Sequence, residues 1–159
     1  MEDRVTRLKT PEDCEIVASN VAVKDPTYAK QLIRRAVELH ASKHNAASPV
    51  EQDALEALYA NERALSQDRG KKVSVSRMST MIKRGGIIAV VERIVTQKQE
   101  TNGYETMTKM GMQDKFFEAV VLRHPDAFSA EAVARSKTRL DELTGAGALE
   151  TAGDAIAKG

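Results

Sequence analysis

One cysteine, no tryptophan, six other aromatics and four prolines are all that these residue types contribute to 159 positions. Each scarcity excludes something. A lone thiol, Cys14, cannot close an internal disulfide, which points to a reducing compartment. A chain of this length buries about two thirds of the surface its unfolded form exposes, so an apolar core suffices without a disulfide or structural metal. No aromatic lies between residues 60 and 103, and that stretch therefore offers no base-stacking platform of the single-strand-binding kind. Nowhere do about 18 apolar residues run together, and the opening MEDRVTRLKTPEDCE has no apolar run of the secretory type. The expectation is a cytoplasmic protein with no membrane partner. An excess of one charge is missing as well. With 24 basic and 23 acidic side chains the net charge is +1, so any affinity for a polyanion must come from local placement rather than from a global field.

What is present is helical periodicity. Apolar residues recur at spacings of three and four, with almost no alternation at two, which predicts an all-α chain. Thr10, Pro11 and Asp13 signal a first helix, with Cys14, Val17 and Val21 as its apolar stripe. Asp25 and Pro26 start a second, expected to reach about Asn45, with Tyr28, Leu32, Ala36 and Leu39 on its apolar side. Ser48, Pro49 and Glu51 open a third that carries Leu55, Leu58, Tyr59 and Leu65 and stops at Gly70. A shorter helix from Ser74 or Ser76 to Gly85-Gly86 precedes IIAVVERIV, whose Ile87 to Val95 form the candidate central core helix. Residues 96–103 predict an exposed loop. Beyond them come a short helix to Met110, a break at Gly111, a helix centred on FFEAVVL that ends at His124-Pro125, and a last helix capped by Ser129 that runs to Leu143. Together these predict one compact domain over residues 1–143, a bundle of about six to seven helices. TGAGALETAGDAIAKG, residues 144–159, predicts a Gly/Ala-rich mobile tail or linker. There is no internal repeat.

The charges are not evenly spread. Residues 69–84 hold six basic groups and no carboxylate, whereas residues 49–68 hold Glu51, Asp53, Glu56, Glu62 and Asp68 against Arg63 alone. If residues 74–84 are helical, Val75, Met78 and Ile82 share a buried stripe while Arg77, Thr80 and Arg84 line the opposite side, with Ser76 and Lys83 flanking it. Guanidinium forks, hydroxyls and helix-start amides are what phosphate recognition uses. The sequence of acidic helix, basic loop, short polar-faced helix, double glycine and apolar helix over residues 53–95 resembles a loose helix-turn-helix arrangement. It implies DNA contact through Lys71, Lys72, Ser76, Arg77, Thr80, Lys83 and Arg84. Two competing expectations stand beside it. Dipole complementarity alone accounts for Lys83 and Arg84 near a helix end, and the acidic third helix can neutralise the basic segment inside the fold.

Other chemistries find less support. His40 and His44, four apart in HASKH, could share a metal, but Ala41 replaces the glutamate of a zinc-protease helix; the expectation is exposed histidines without a metal. Met107, Met110 and Met112 have thioether spacing, and are expected to fill a core around Gly111. Cys14 is expected to be buried rather than nucleophilic. Pro125-Asp126 starts like a magnesium-nuclease motif, yet Glu131 and Glu142 lack a lysine two residues on. A phosphate-binding glycine loop and a Gly-x-Ser-x-Gly elbow are both absent. The sequence thus predicts a non-enzymatic protein with no cofactor and no small-molecule substrate. Its alternative to DNA binding is a protein-interaction or homodimeric assembly module, since IIAVVERIV and KFFEAVVL carry more apolar surface than one small core needs.

Overall fold

Each of the four prolines begins a turn of helix. In the computed structural model, which describes residues 5–70, 76–97 and 104–143 with residues 76–85 as backbone only, Pro11, Pro26 and Pro49 stand at the first position of α1 (Pro11–Val21), α2 (Pro26–Ser42) and α3 (Pro49–Arg69). Proline loses nothing there, because the first amides of a helix have no intrahelical acceptor. The preceding residue caps each start. Thr10 Oγ1 accepts from the Asp13 amide at 3.1 Å, Asp25 Oδ1 from Tyr28 at 3.1 Å, and Ser48 Oγ from Glu51 at 3.3 Å. Glu51 reaches back past the cap to take the Ala47 amide at 2.9 Å. The fourth proline starts a short 3-10 turn, Pro125–Ala127.

The remaining helices are α4 (Ser76–Thr96), α5 (Tyr104–Lys109), α6 (Phe117–Arg123) and α7 (residues 130–143), with a second 3-10 turn at Gln113–Lys115. The described residues are thus all-helical, with seven helices and no strand. Glycines end or break them where left-handed backbone is required: Gly70 (φ 66°) closes α3, and Gly111 (φ 74°) closes α5. At Gly111 the Met112 amide bonds Met107 O at 2.9 Å and the Gly111 amide bonds Thr108 O at 3.1 Å, the paired pattern that satisfies the last carbonyls of a helix. Ser129 Oγ accepts from the Ala132 amide at 3.0 Å and so caps α7. One boundary differs from expectation. α2 ends at Ser42 instead of Asn45, through tightened bonds from Lys43, His44 and Asn45 to carbonyls three residues back, and Asn45 takes φ 50°.

The core has three joined parts. Ile87, Val90, Val91, Ile94 and Val95 of α4 pack with Leu55 and Leu58 of α3 and with Phe117, Val120 and Val121 of α6. Met107, Met110, Met112, Tyr104 and Phe116 pack against Val37, Ala60 and Ala64. Cys14 and Ala18 of α1 meet Ala29, Leu32 and Ala36 of α2. Burying each large side chain contributes roughly 1.5–3 kcal/mol. Small residues on α3, namely Ala54, Ala57, Ala60 and Ala64, let the neighbouring helices approach it closely.

Candidate functional site

The basic segment falls across the junction of α3 and α4. Arg69, its first cation, is exposed in the last turn of α3, and Gly70 turns the chain away. Lys71 and Lys72 lie outside the described residues. Ser76, Arg77, Thr80, Lys83 and Arg84 fall on the first half of α4, whose backbone is helical through residue 85. By register Arg77, Thr80 and Arg84 follow one another at spacings of three and four, the repeat that places residues on one helix face. Their side chains, like those of Val75, Met78 and Ile82, lie outside what the structure describes. At Gly86 the helix breaks, with φ 86° and ψ 162°. The two pieces on either side match the expected short helix and core helix.

The acidic face of α3 has partners on other elements. Asp53 Oδ2 pairs with His124 Nε2 at 2.7 Å and Arg123 Nε at 3.3 Å, both at the end of α6. Glu56 Oε1 takes Lys115 Nζ at 2.6 Å while Oε2 takes Gln52 Nε2 at 2.8 Å. Asp68 accepts the Thr106 hydroxyl from α5. Glu51 serves its own helix start. Glu62 lies close enough to Tyr59 to help burial push its phenol above the ordinary range. Glu56, one of the acids placed to neutralise the basic segment, is therefore committed to Lys115, a cation only 4% exposed that also stands 3.8 Å from Glu38.

The other candidate residues are structural. Cys14 is fully buried, and burial pushes its thiol up despite the opposing Arg35 charge, the reverse of what a nucleophile needs. The three methionines of MTKMGM sit in the core. His40 is half-buried rather than exposed: its ring stacks on Tyr59 at 5.1 Å, while His44 is exposed and its Nε2 lies 2.6 Å from the same hydroxyl. Among the described residues no three His, Cys, Asp or Glu side chains gather to hold a metal. Most large apolar side chains of IIAVVERIV and KFFEAVVL are buried in the core, while Ile88 and Leu122 remain partly exposed. The large apolar side chains left exposed among the described residues are Ile16 (59%) and Val23 (95%), on α1 and just after it.

Sequence reasoning missed two buried charged groups. Glu118, 0% exposed, accepts from Tyr104 Oη at 2.6 Å and Arg139 Nη1 at 2.9 Å. A carboxylate in the middle of the apolar run FFEAVVL was the available signal, since a buried acid demands donors. Lys115 carried no comparable signal. Arg34 adds a fork onto Asp114, at 2.9 and 2.5 Å, and holds that carboxyl below its usual range. No helix among the described residues is long and apolar enough to cross a membrane. No protein-family model, curated protein or solved structure matches the chain.

Proposed function

We propose that this is a small helical DNA-binding protein, without enzymatic activity or cofactor, that grips the phosphate backbone through the basic stretch of residues 69–84. The observation that carries the reading is a charge separation. Sixteen residues hold six cations and no acid, while Asp53, Glu56 and Asp68 of the adjoining acidic helix are engaged by α6, Lys115 and α5. Those three of the five α3 acids thus have partners outside the segment, and phosphate is the anion that guanidinium and hydroxyl groups at helical spacing suit. Lys71, Lys72, Arg77, Lys83 and Arg84 supply the charge; Ser76 and Thr80 supply neutral donors. The overall charge near zero limits long-range attraction, so binding should be short-ranged and strongly salt-dependent.

The test is a fluorescence titration of a labelled duplex at two salt concentrations with wild type and the Arg77→Ala/Arg84→Ala double variant. Each lost phosphate contact flattens the plot of log affinity against log salt by about 0.9 unit, so the variant should lose nearly two. Equal affinity and equal slope in the two proteins would discard the site.

A further inference from the structure

The DNA-binding reading does not explain why α4 is divided at a glycine. Gly86 adopts φ 86° and ψ 162°, a region of backbone space essentially restricted to glycine. A Cβ placed on it meets no atom within 4 Å. Close packing is therefore not what excludes a side chain at this position; the backbone angle is. On the C-terminal side of the break Ile87, Val90, Val91, Ile94 and Val95 are buried in the core. On the N-terminal side residues 76–85 form a separate helical piece that contains Arg77, Lys83 and Arg84.

We infer that Gly86 is a positioning residue for nucleic-acid binding: its glycine-only kink sets the direction in which the basic helix leaves the core. The inference rests on the DNA-binding reading above and adds to it the residue on which the cationic helix is aimed. An L-residue at 86 favours right-handed helical backbone instead, and the hydrogen-bond ladder would then run through without a break. The buried half cannot follow without emptying the core, so the basic half moves. Ten residues at 1.5 Å each make a lever of about 15 Å, and removing a sharp kink of about 20° or more displaces its far end by roughly 5 Å or more. A hydrogen bond to phosphate spans about 3 Å. Arg77, at the far end, would leave any contact shared with Lys83 and Arg84.

The experiment compares Gly86→Ala with Gly85→Ala, which adds the same methyl one residue earlier, where the backbone is helical. Three readouts are taken: folding by circular dichroism, duplex affinity at two salt concentrations, and the distance between spin labels on Ser76→Cys and Lys137→Cys. Cys14, being buried, is left in place. Gly86→Ala should fold, shift the label distance by about 5 Å or more, and bind duplex about tenfold more weakly or worse with a flatter salt slope. Gly85→Ala should match wild type in all three. The inference is overturned by a Gly86→Ala protein with wild-type distance or wild-type binding, by equal losses in both variants, or by failure of Gly86→Ala to fold, which would make Gly86 a stability residue. The Arg77→Ala/Arg84→Ala pair separates the two levels. Unchanged binding there removes the DNA reading and this inference with it, whereas weakened binding there beside unimpaired Gly86→Ala removes only the kink's role.

Discussion

Glu118 shows how one residue can constrain a neighbourhood. Its carboxylate is fully buried and tied to the Tyr104 phenol and the Arg139 guanidinium, which also reaches Gln97 O at 3.3 Å. Burial, then the neighbouring carboxylate, pushes the Tyr104 phenol far above its usual range. The sign of the consequence is fixed. An unfolded tyrosine loses its proton near pH 10 while the folded one keeps it, so stability is constant below that pH and falls above it, by about 1.4 kcal/mol per unit from this group alone. Urea unfolding between pH 9 and 11 should show that alkaline limb, and Tyr104→Phe should flatten it. The same variant at pH 7 should be about 1–3 kcal/mol less stable, because the carboxylate is left short of a donor. Asp114 has the opposite sign. Its carboxyl is held below the usual 3.8 mainly by the Arg34 hydrogen bonds, so its contribution is present above that value and lost as pH falls through the lower folded one. Asp114→Asn should weaken the acid limb of the stability curve. Ser136 is a third case: its hydroxyl is buried with no hydrogen-bond partner, and Ser136→Ala should be neutral or stabilising by up to about 1 kcal/mol in the same assay.

At the scale of elements, starts and stops are decided by one or two residues. Ser129 caps α7 and is itself held by Glu92, which accepts from its amide at 2.9 Å and its hydroxyl at 2.5 Å. Ser129→Ala should cost about 1 kcal/mol by chemical denaturation, the usual value of a lost cap. At Gly70 an added methyl would meet no neighbour, but φ is 66°. Gly70→Ala should therefore cost about 1–2 kcal/mol, and Gly70→Asn less, since asparagine tolerates left-handed backbone. Such signals were legible beforehand because capping is local. Thr10, Asp25, Ser48, Ser129, Gly70 and Gly111 all act within a few residues of where they stand. The end of α2 was less legible: the tightened last turn at Lys43 to Asn45 obeys no strong residue preference. The partition of α4 at the double glycine could be read, yet not which glycine carries the non-helical angles.

At the scale of the whole molecule the three parts of the core are joined, since Tyr59 borders the first and second and Ile33 borders the second and third. Unfolding should accordingly follow a single transition by fluorescence and circular dichroism alike. The protection should nevertheless be graded. α1 packs chiefly on α2 and is tied to α3 by the Glu15–Arg63 pair at 2.7 Å, whereas residues 87–95 and α6 supply much of the first core part. Hydrogen exchange should release α1 amides before those of residues 87–95; simultaneous release would mean that α1 is as firmly integrated as the centre. The candidate site was legible as a composition, six cations without an acid, but not as an electrostatic environment. Whether α3 quenches a basic neighbour depends on where Arg123, His124, Lys115 and Thr106 come to lie, and those are far along the chain.

Helix content, most boundaries, the burial of Cys14 and of the methionines, and the clustering of charge between residues 69 and 84 follow from the sequence alone. Periodicity, caps and composition act over one or two turns and are complete without a partner. Only the tertiary structure decided that Asp53 meets His124 across 71 residues and Glu56 meets Lys115 across 59, that Glu118 is satisfied, and that the two most apolar helices pack on each other. Opposite charges and apolar faces have no inherent address; which ones pair is set when helices dock, and docking is a property of the whole chain.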